Sequence, residues 1–180
     1  MTLSRPIALG VFALPMLLGI VSCQRTDHAA STVSIPILMY HKIGDEGNDK
    51  WWVDATTFDA QLRCLREQGY ESVLPADLAN DARGLATLPA RPVVITFDDG
   101  YRNVVQQAEP ILKRNGFRAI VYLPTSRIGD RELDRREVEG TPCLVWPEII
   151  AAQARGTLHF GSHGHAHRDL RFMNDFADDI

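Results

Sequence analysis

Two adjacent carboxylates and a cluster of imidazoles are the side chains of this sequence best suited to chemistry. Asp98 and Asp99 end the run Val93-Val94-Ile95-Thr96-Phe97, and Gly100 follows them. Residues of that kind form a buried strand, so both acids fall at its end, where a chain turns and a pocket can open. Neighbouring carboxylates repel unless a proton or a cation lies between them. One acid as a metal ligand and the other as a base would resolve the conflict. The plainer reading is a turn, because Asp-Gly is a favoured turn dipeptide. A second segment shifts the balance. Gly161-Ser162-His163-Gly164-His165-Ala166-His167 follows the short apolar run 157–160. Neutral imidazole is the commonest metal-binding side chain, and His163 and His167 stand four residues apart. That spacing lets them converge on one ion from a helical turn or a compact loop. Alone, such a pair reads as a solvated loop or a helix cap. With the acids it completes an Asp, His and His donor set.

Thr96-Phe97-Asp98-Asp99-Gly100, and Ser162-His163 through His167-Arg168-Asp169-Leu170, resemble the first two motifs of the polysaccharide deacetylase family (the NodB-homology domain, carbohydrate esterase family 4). Pro36-Ile37-Leu38-Met39-Tyr40-His41-Lys42-Ile43 resembles the opening segment of one branch, which includes extracellular poly-N-acetylglucosamine deacetylases. The likeness runs over about residues 35–170. It implies an α/β fold, an incomplete or distorted parallel (β/α) barrel. It also implies that Asp99, His163 and His167 are the metal ligands and that Asp98 is the general base accepting a proton from the attacking water. By the same likeness His41 is the general acid. His165 matches no ligand of the family and is expected to support the site or face solvent, though it could compete for the ion.

The physical requirements agree with that assignment. Amide hydrolysis needs a polarised carbonyl, an activated water and a proton for the departing amine. A divalent ion on three protein ligands keeps positions open for water and substrate. An Asp-His-His set suits transition metals better than calcium or magnesium, with zinc the first expectation and cobalt or nickel the alternatives.

The elements that must hold these groups are legible as alternating runs. Strands are expected over 35–39, 93–96, 118–123 and 157–160, with a short one over 70–74. His41, Asp98, Asp99, His163 and His167 each fall just past the C-terminal end of a strand, the rim where parallel barrels gather their chemistry. Thr56 or Thr57 is expected to cap a helix carrying Phe58, Leu62 and Leu65 inward, ended by Gly69, with Cys64 buried inside it. Pro75 opens a small helix to about residue 80, and residues 81–90 read as a loop. Residues 103–114 are helical in tendency, with a break or fresh start at Pro110 and a stop at Gly116. Residues 146–154 form a further helix. Such alternation favours a parallel sheet.

Residues 127–140 mix Asp, Glu and Arg with few apolar side chains and read as solvated surface, with a role in substrate recognition the lesser alternative. Trp51 and Trp52 lie in a polar stretch where both are unlikely to be buried together. One is expected to pack, and the other to offer a flat apolar face to a sugar ring or to join the core.

The N-terminus sets an expected address. Arg5 precedes an apolar segment over 7–21 that is short for a membrane span. Ile20-Val21-Ser22-Cys23 resembles a bacterial lipobox, which implies a signal peptide over 1–22, acylation of Cys23 and a tether over 23–34. Gln24 resembles the outer-membrane sorting pattern in a host with two membranes; plain secretion is the first alternative and a retained anchor the second. The deacetylase domain is then expected over 35–180, short of a complete barrel of about 250 residues and resembling its N-terminal portion. An open sheet edge is the expected consequence. A Cys64–Cys143 disulfide is compatible with such a compartment. The formal charge of −4 and the lack of basic clusters argue against nucleic acid as a partner.

The sequence thus points to metal-dependent removal of N-acetyl groups from an N-acetylglucosamine polymer at the cell envelope. Two other readings stay open. One is an inactive lipoprotein that binds glycan or metal; the other is a metal-dependent amidase acting on a small molecule.

Overall fold

Short apolar runs alternating with amphipathic helices produce a parallel sheet whose one face is covered by helices. The computed structural model describes residues 34–45 and 49–168. The expected signal peptide lies outside the described residues, as do the tether up to residue 33, Asp169 and Leu170. Among the described residues no helix is long and apolar enough to cross a membrane.

The strands are β1 (Ile37–Tyr40), β2 (Lys42–Ile43), β3 (Trp52–Val53), β4 (Glu71–Ser72), β5 (Pro92–Phe97), β6 (Ala119–Leu123), β7 (Glu137–Val138), β8 (Thr141–Pro142) and β9 (Leu158–Ser162). The principal sheet runs β1-β5-β6-β9, all parallel, and β4 pairs with the first residues of β5. β2 pairs with β3, and β7 with β8. Among the described residues the sheet does not close, so the expected incomplete barrel is an open sheet of five strands.

Helix α1 (Ala55–Glu67) begins differently from expectation. Asp54, in extended backbone, caps it by accepting from the Thr57 N–H at 2.7 Å, so neither threonine is the cap. An Asp carboxylate accepts strongly from orphan amides at a helix start. Phe58 and Leu62 are buried, and Leu65 packs against the same core. Cys64 is exposed, contrary to expectation, because at 100° per residue it falls off that stripe. Cys143 is buried, and both thiols are free.

Pro75 opens α2 (Pro75–Ala82), where Asp77 accepts from the Leu74 N–H at 2.9 Å. Pro110 gives the fresh start: a π-helical turn over Val104–Ala108, with the Glu109 N–H reaching Val104 O, leads into α3 (Glu109–Asn115). Pro110 has no N–H to give the preceding turn, and a widened turn tolerates that loss. Gly116 and Gly156, both left-handed, end α3 and α4 (Trp146–Arg155).

Val93, Ile95, Phe97, Ala119, Val121, Leu123 and Leu158 meet Phe58, Leu62, Ile111, Leu112, Ile149 and Ala152 in one buried core. The alternate residues point to the other face. There Ile37 and Met39 are 64% and 59% exposed. Side-chain alternation along each strand thus sends one set into the helix layer and its neighbours to the other face, which is open at β1 while Val94 and Thr96 of β5 stay buried.

Candidate metal centre

Asp98 continues the strand ladder: its N–H donates to Tyr40 O at 2.9 Å. Asp99 then turns left-handed, with φ 73°, and Gly100 follows at φ 67°. Asp is among the few residues that accept such a backbone. A Cβ at Gly100 would also stand 2.8 Å from the end of the Leu123 side chain, which would have to shift. The turn throws Asp99 off the face on which Asp98 lies.

His163 is fixed by its N–H, which donates to Leu123 O at 2.9 Å just past the last paired residues of β6 and β9. The chain then forms a compact loop, the second of the two forms open to it, and His167 turns left-handed at φ 53°. The two rings face each other with centroids 4.8 Å apart. One donor atom each from Asp99, His163 and His167 all lie within 4.8 Å of one another. Two ligand bonds of about 2.1 Å to one ion allow a separation of at most about 4.2 Å, which small side-chain rotations reach. The nitrogen and oxygen donors fit a divalent transition ion.

His165 takes no part in that set. Its Nδ1 lies 2.8 Å from Thr125 Oγ1, and its carbonyl accepts from the Ser126 N–H at 3.0 Å. Thr125 in turn donates from its N–H to Gly164 O at 3.1 Å. His165 is therefore the joint between the imidazole loop and the 3-10 turn Thr125–Arg127.

That turn delivers a residue the sequence did not single out. Arg127 donates from Nη1 to Asp99 Oδ1 at 3.0 Å and from Nη2 to His167 Nδ1 at 3.1 Å, and its side chain is only 22% exposed. Residues 127–140 are thus not uniformly solvated surface. Arg135 likewise turns inward, to Cys143 O at 2.6 Å and to Glu148 at 2.9 Å. In both cases a carboxylate at the tip of the arginine side chain compensates burial of the guanidinium.

His41, past β1, stacks on Trp51 with centroids 4.4 Å apart. Trp51 remains exposed while Trp52 is half-buried in β3, so the pair divides as expected. Lys42 is the second residue missed in the sequence. It is 1% exposed, and its Nζ donates to Asp49 at 3.1 Å and Glu139 at 3.3 Å and lies over the rings of Tyr101 and Trp52. This buried ammonium ties the Trp51 loop to the β7–β8 hairpin. The signal for it was weak: a lysine inside an otherwise apolar strand run.

Two cavities flank the Asp pair. One, of about 410 Å³, is lined by His41, Trp51, Asp99, Arg127, Glu139 and His167. The other, of about 420 Å³, is lined by Ile37, Met39, Val94 and Tyr122 together with Asp98 and His163. Burial raises the Asp98 carboxyl above the ordinary range, while the nearby imidazoles oppose that shift. A dication beside it would oppose it further. Burial pushes the Cys143 thiol up to about 11, so it stays protonated and offers no competing thiolate.

A polysaccharide deacetylase family model matches residues 86–177. YxkH of Bacillus subtilis (strain 168) is 34% identical over 101 residues, spanning 54% of this chain and 34% of that protein. The poly-beta-1,6-N-acetyl-D-glucosamine N-deacetylase of Escherichia coli (strain K12) is 33% identical over 134 residues, spanning 70% of this chain and 20% of that one. This chain therefore spans about a third of one relative and a fifth of the other. The Streptococcus pyogenes deacetylase PplD, solved in complex with acetate, superposes with a TM-score of 0.65 at 25% identity over 79% of this chain and 61% of that one. The matched span holds both the Asp turn and the imidazole loop, and on that ground the chain belongs to the polysaccharide deacetylase family.

Proposed function

We propose that this chain carries the metal-binding and catalytic part of an N-deacetylase acting on an N-acetylglucosamine-containing polysaccharide. The observation that carries the reading is the convergence of Asp99, His163 and His167 within 4.8 Å, with Asp98 beside them. The similarity to the Escherichia coli enzyme supports the substrate class. The donor set suits a divalent transition ion, with zinc the first expectation and cobalt or nickel the alternatives.

Asp99, His163 and His167 would hold the ion, and a divalent ion held there would supply Lewis-acid polarisation of the acetamide carbonyl and acidify a water. Asp98, outside that donor set, would take the proton of the water that attacks the carbonyl carbon. The C–N bond then breaks, acetate departs, and the sugar nitrogen takes a proton from His41. Trp51 holds the His41 ring from one side and offers its exposed face to a sugar ring. Lys42 keeps that loop in place through Asp49. Cys23, as the expected acylation site, would attach the chain to the envelope membrane, close to an extracellular glycan.

Acetate release from an acetylated glucosamine oligomer by the zinc-loaded full chain is the direct test, with turnover expected. No release, together with equal oligomer binding by Asp98→Asn, would replace this reading with a glycan-binding lipoprotein. Release from small acetamides but not from oligomers would favour a small-molecule amidase. Incorporation of labelled fatty acid, lost in Cys23→Ser, tests the attachment.

A further inference from the structure

We propose that Arg127 and the bound cation are alternatives, so that the protein carries a built-in competitor for its own metal site. The inference rests on the metal-site assignment above and concerns a residue outside that donor set.

A guanidinium has donors and no acceptor. The 3.1 Å contact between Arg127 Nη2 and His167 Nδ1 therefore requires the lone pair of Nδ1. The hydrogen of the neutral ring is then on Nε2, which faces Asp99 Oδ1 at 3.3 Å. Asp99 Oδ1 also accepts from Arg127 Nη1 at 3.0 Å. Arg127 and His167 thus close a ring on one carboxylate oxygen, and both imidazole nitrogens are engaged.

A metal ion needs a lone pair on His167. The lone pair of Nδ1 is held by Arg127. Releasing the one on Nε2 moves the hydrogen to Nδ1, where it points at another N–H donor. By either route the Arg127–His167 contact must break. The guanidinium charge would also repel a dication at contact distance.

The placement of Arg127 is built into the backbone. The turn that carries it is bonded to the imidazole loop at Thr125 and Ser126, and Arg136 bonds Ser126 O from the other side. The adjoining cavity of about 410 Å³, with Glu139 in its wall, gives the displaced side chain room and a carboxylate. Arg127 would therefore keep Asp99 and His167 aligned while lowering affinity for the ion.

The test is zinc titration of the metal-stripped full chain against a chromophoric chelator, for wild type, Arg127→Gln and Arg127→Lys. Arg127→Gln is expected to bind one zinc per chain about ten- to a hundredfold more tightly, the range for losing a competing charged hydrogen bond. Arg127→Lys, with the charge but not the fork, is expected to fall between it and wild type. Unchanged or weaker binding in Arg127→Gln overturns the proposal while leaving the metal site standing. No zinc binding by any of the three overturns both. Circular dichroism checks folding; if Arg127→Gln is unfolded, tightening by Arg127→Lys supports the proposal and its lack overturns it.

Discussion

The two cavities beside the Asp98–Asp99 turn have similar volumes and opposite linings. One is apolar, with Ile37, Met39, Val94 and Tyr122 around Asp98 and His163. The other gathers His41, Arg127 and Glu139 around Asp99 and His167. Consecutive acids, and imidazoles four residues apart, are thus divided between two environments. The left-handed backbone at Asp99 makes the division. Asp98 keeps the strand alternation of Val94 and Thr96, and Asp99 leaves it. The difference teaches how one dipeptide can place two carboxylates in unlike surroundings. Desolvation on the apolar side raises Asp98 and suits a proton acceptor. On the polar side Asp99 instead meets Arg127 and His167, and its carboxylate lies within 4.8 Å of the donor atoms of His163 and His167.

The division breaks most completely at the imidazoles. His163→Ala or His167→Ala should each abolish stoichiometric metal binding by elemental analysis and with it acetate release. Unchanged occupancy in either would remove that residue from the ligand set. Next, Asp98→Asn should retain the metal yet slow turnover by about 10²–10⁴-fold. His41→Ala should also retain metal and slow turnover by about a hundredfold, toward the low end of the same range. Loss of metal in Asp98→Asn would show that the two acids are not functionally separate.

The two faces of the sheet offer a sharper contrast in stability. Phe97→Ala, in the helix-covered core, should cost about 3–5 kcal/mol in denaturant unfolding. Ile37→Ser, on the open face, should change stability by no more than about 0.5 kcal/mol. A cost at Ile37 like that at Phe97 would mean that another segment or chain covers the open face. The smallest effect is expected on the polar side, where Trp51→Ala should raise KM about two- to tenfold with little change in metal content. An unchanged KM would leave Trp51 as a support for His41 alone.

The helices and strands were legible wherever a local rule governs them. The inward stripe of Phe58, Leu62 and Leu65, the fresh start at Pro110 and the stops at Gly69 and Gly116 depend on near neighbours in the chain. The cap of α1 was misplaced because Asp54 and the two threonines all satisfy the same local chemistry, and only the observed backbone chooses among them. Cys64 was misread because an apolar-looking side chain within a helix was given no angular position. Arg127 was not singled out because its partner Asp99 lies 28 residues away, and of the two carboxylates on Lys42 one, Glu139, lies 97 residues away. A charged run looks solvated until its distant counter-charges are known.

By itself the sequence determined the reactive inventory: which acids and imidazoles stand at strand ends, and which elements carry them. It did so because side-chain alternation and helical periodicity are properties of consecutive residues. Only the tertiary structure decided that Asp98 and Asp99 face different cavities and that a guanidinium bonds two of the three donors. Those outcomes depend on a single left-handed turn and on contacts between segments far apart in the chain, which no local pattern encodes.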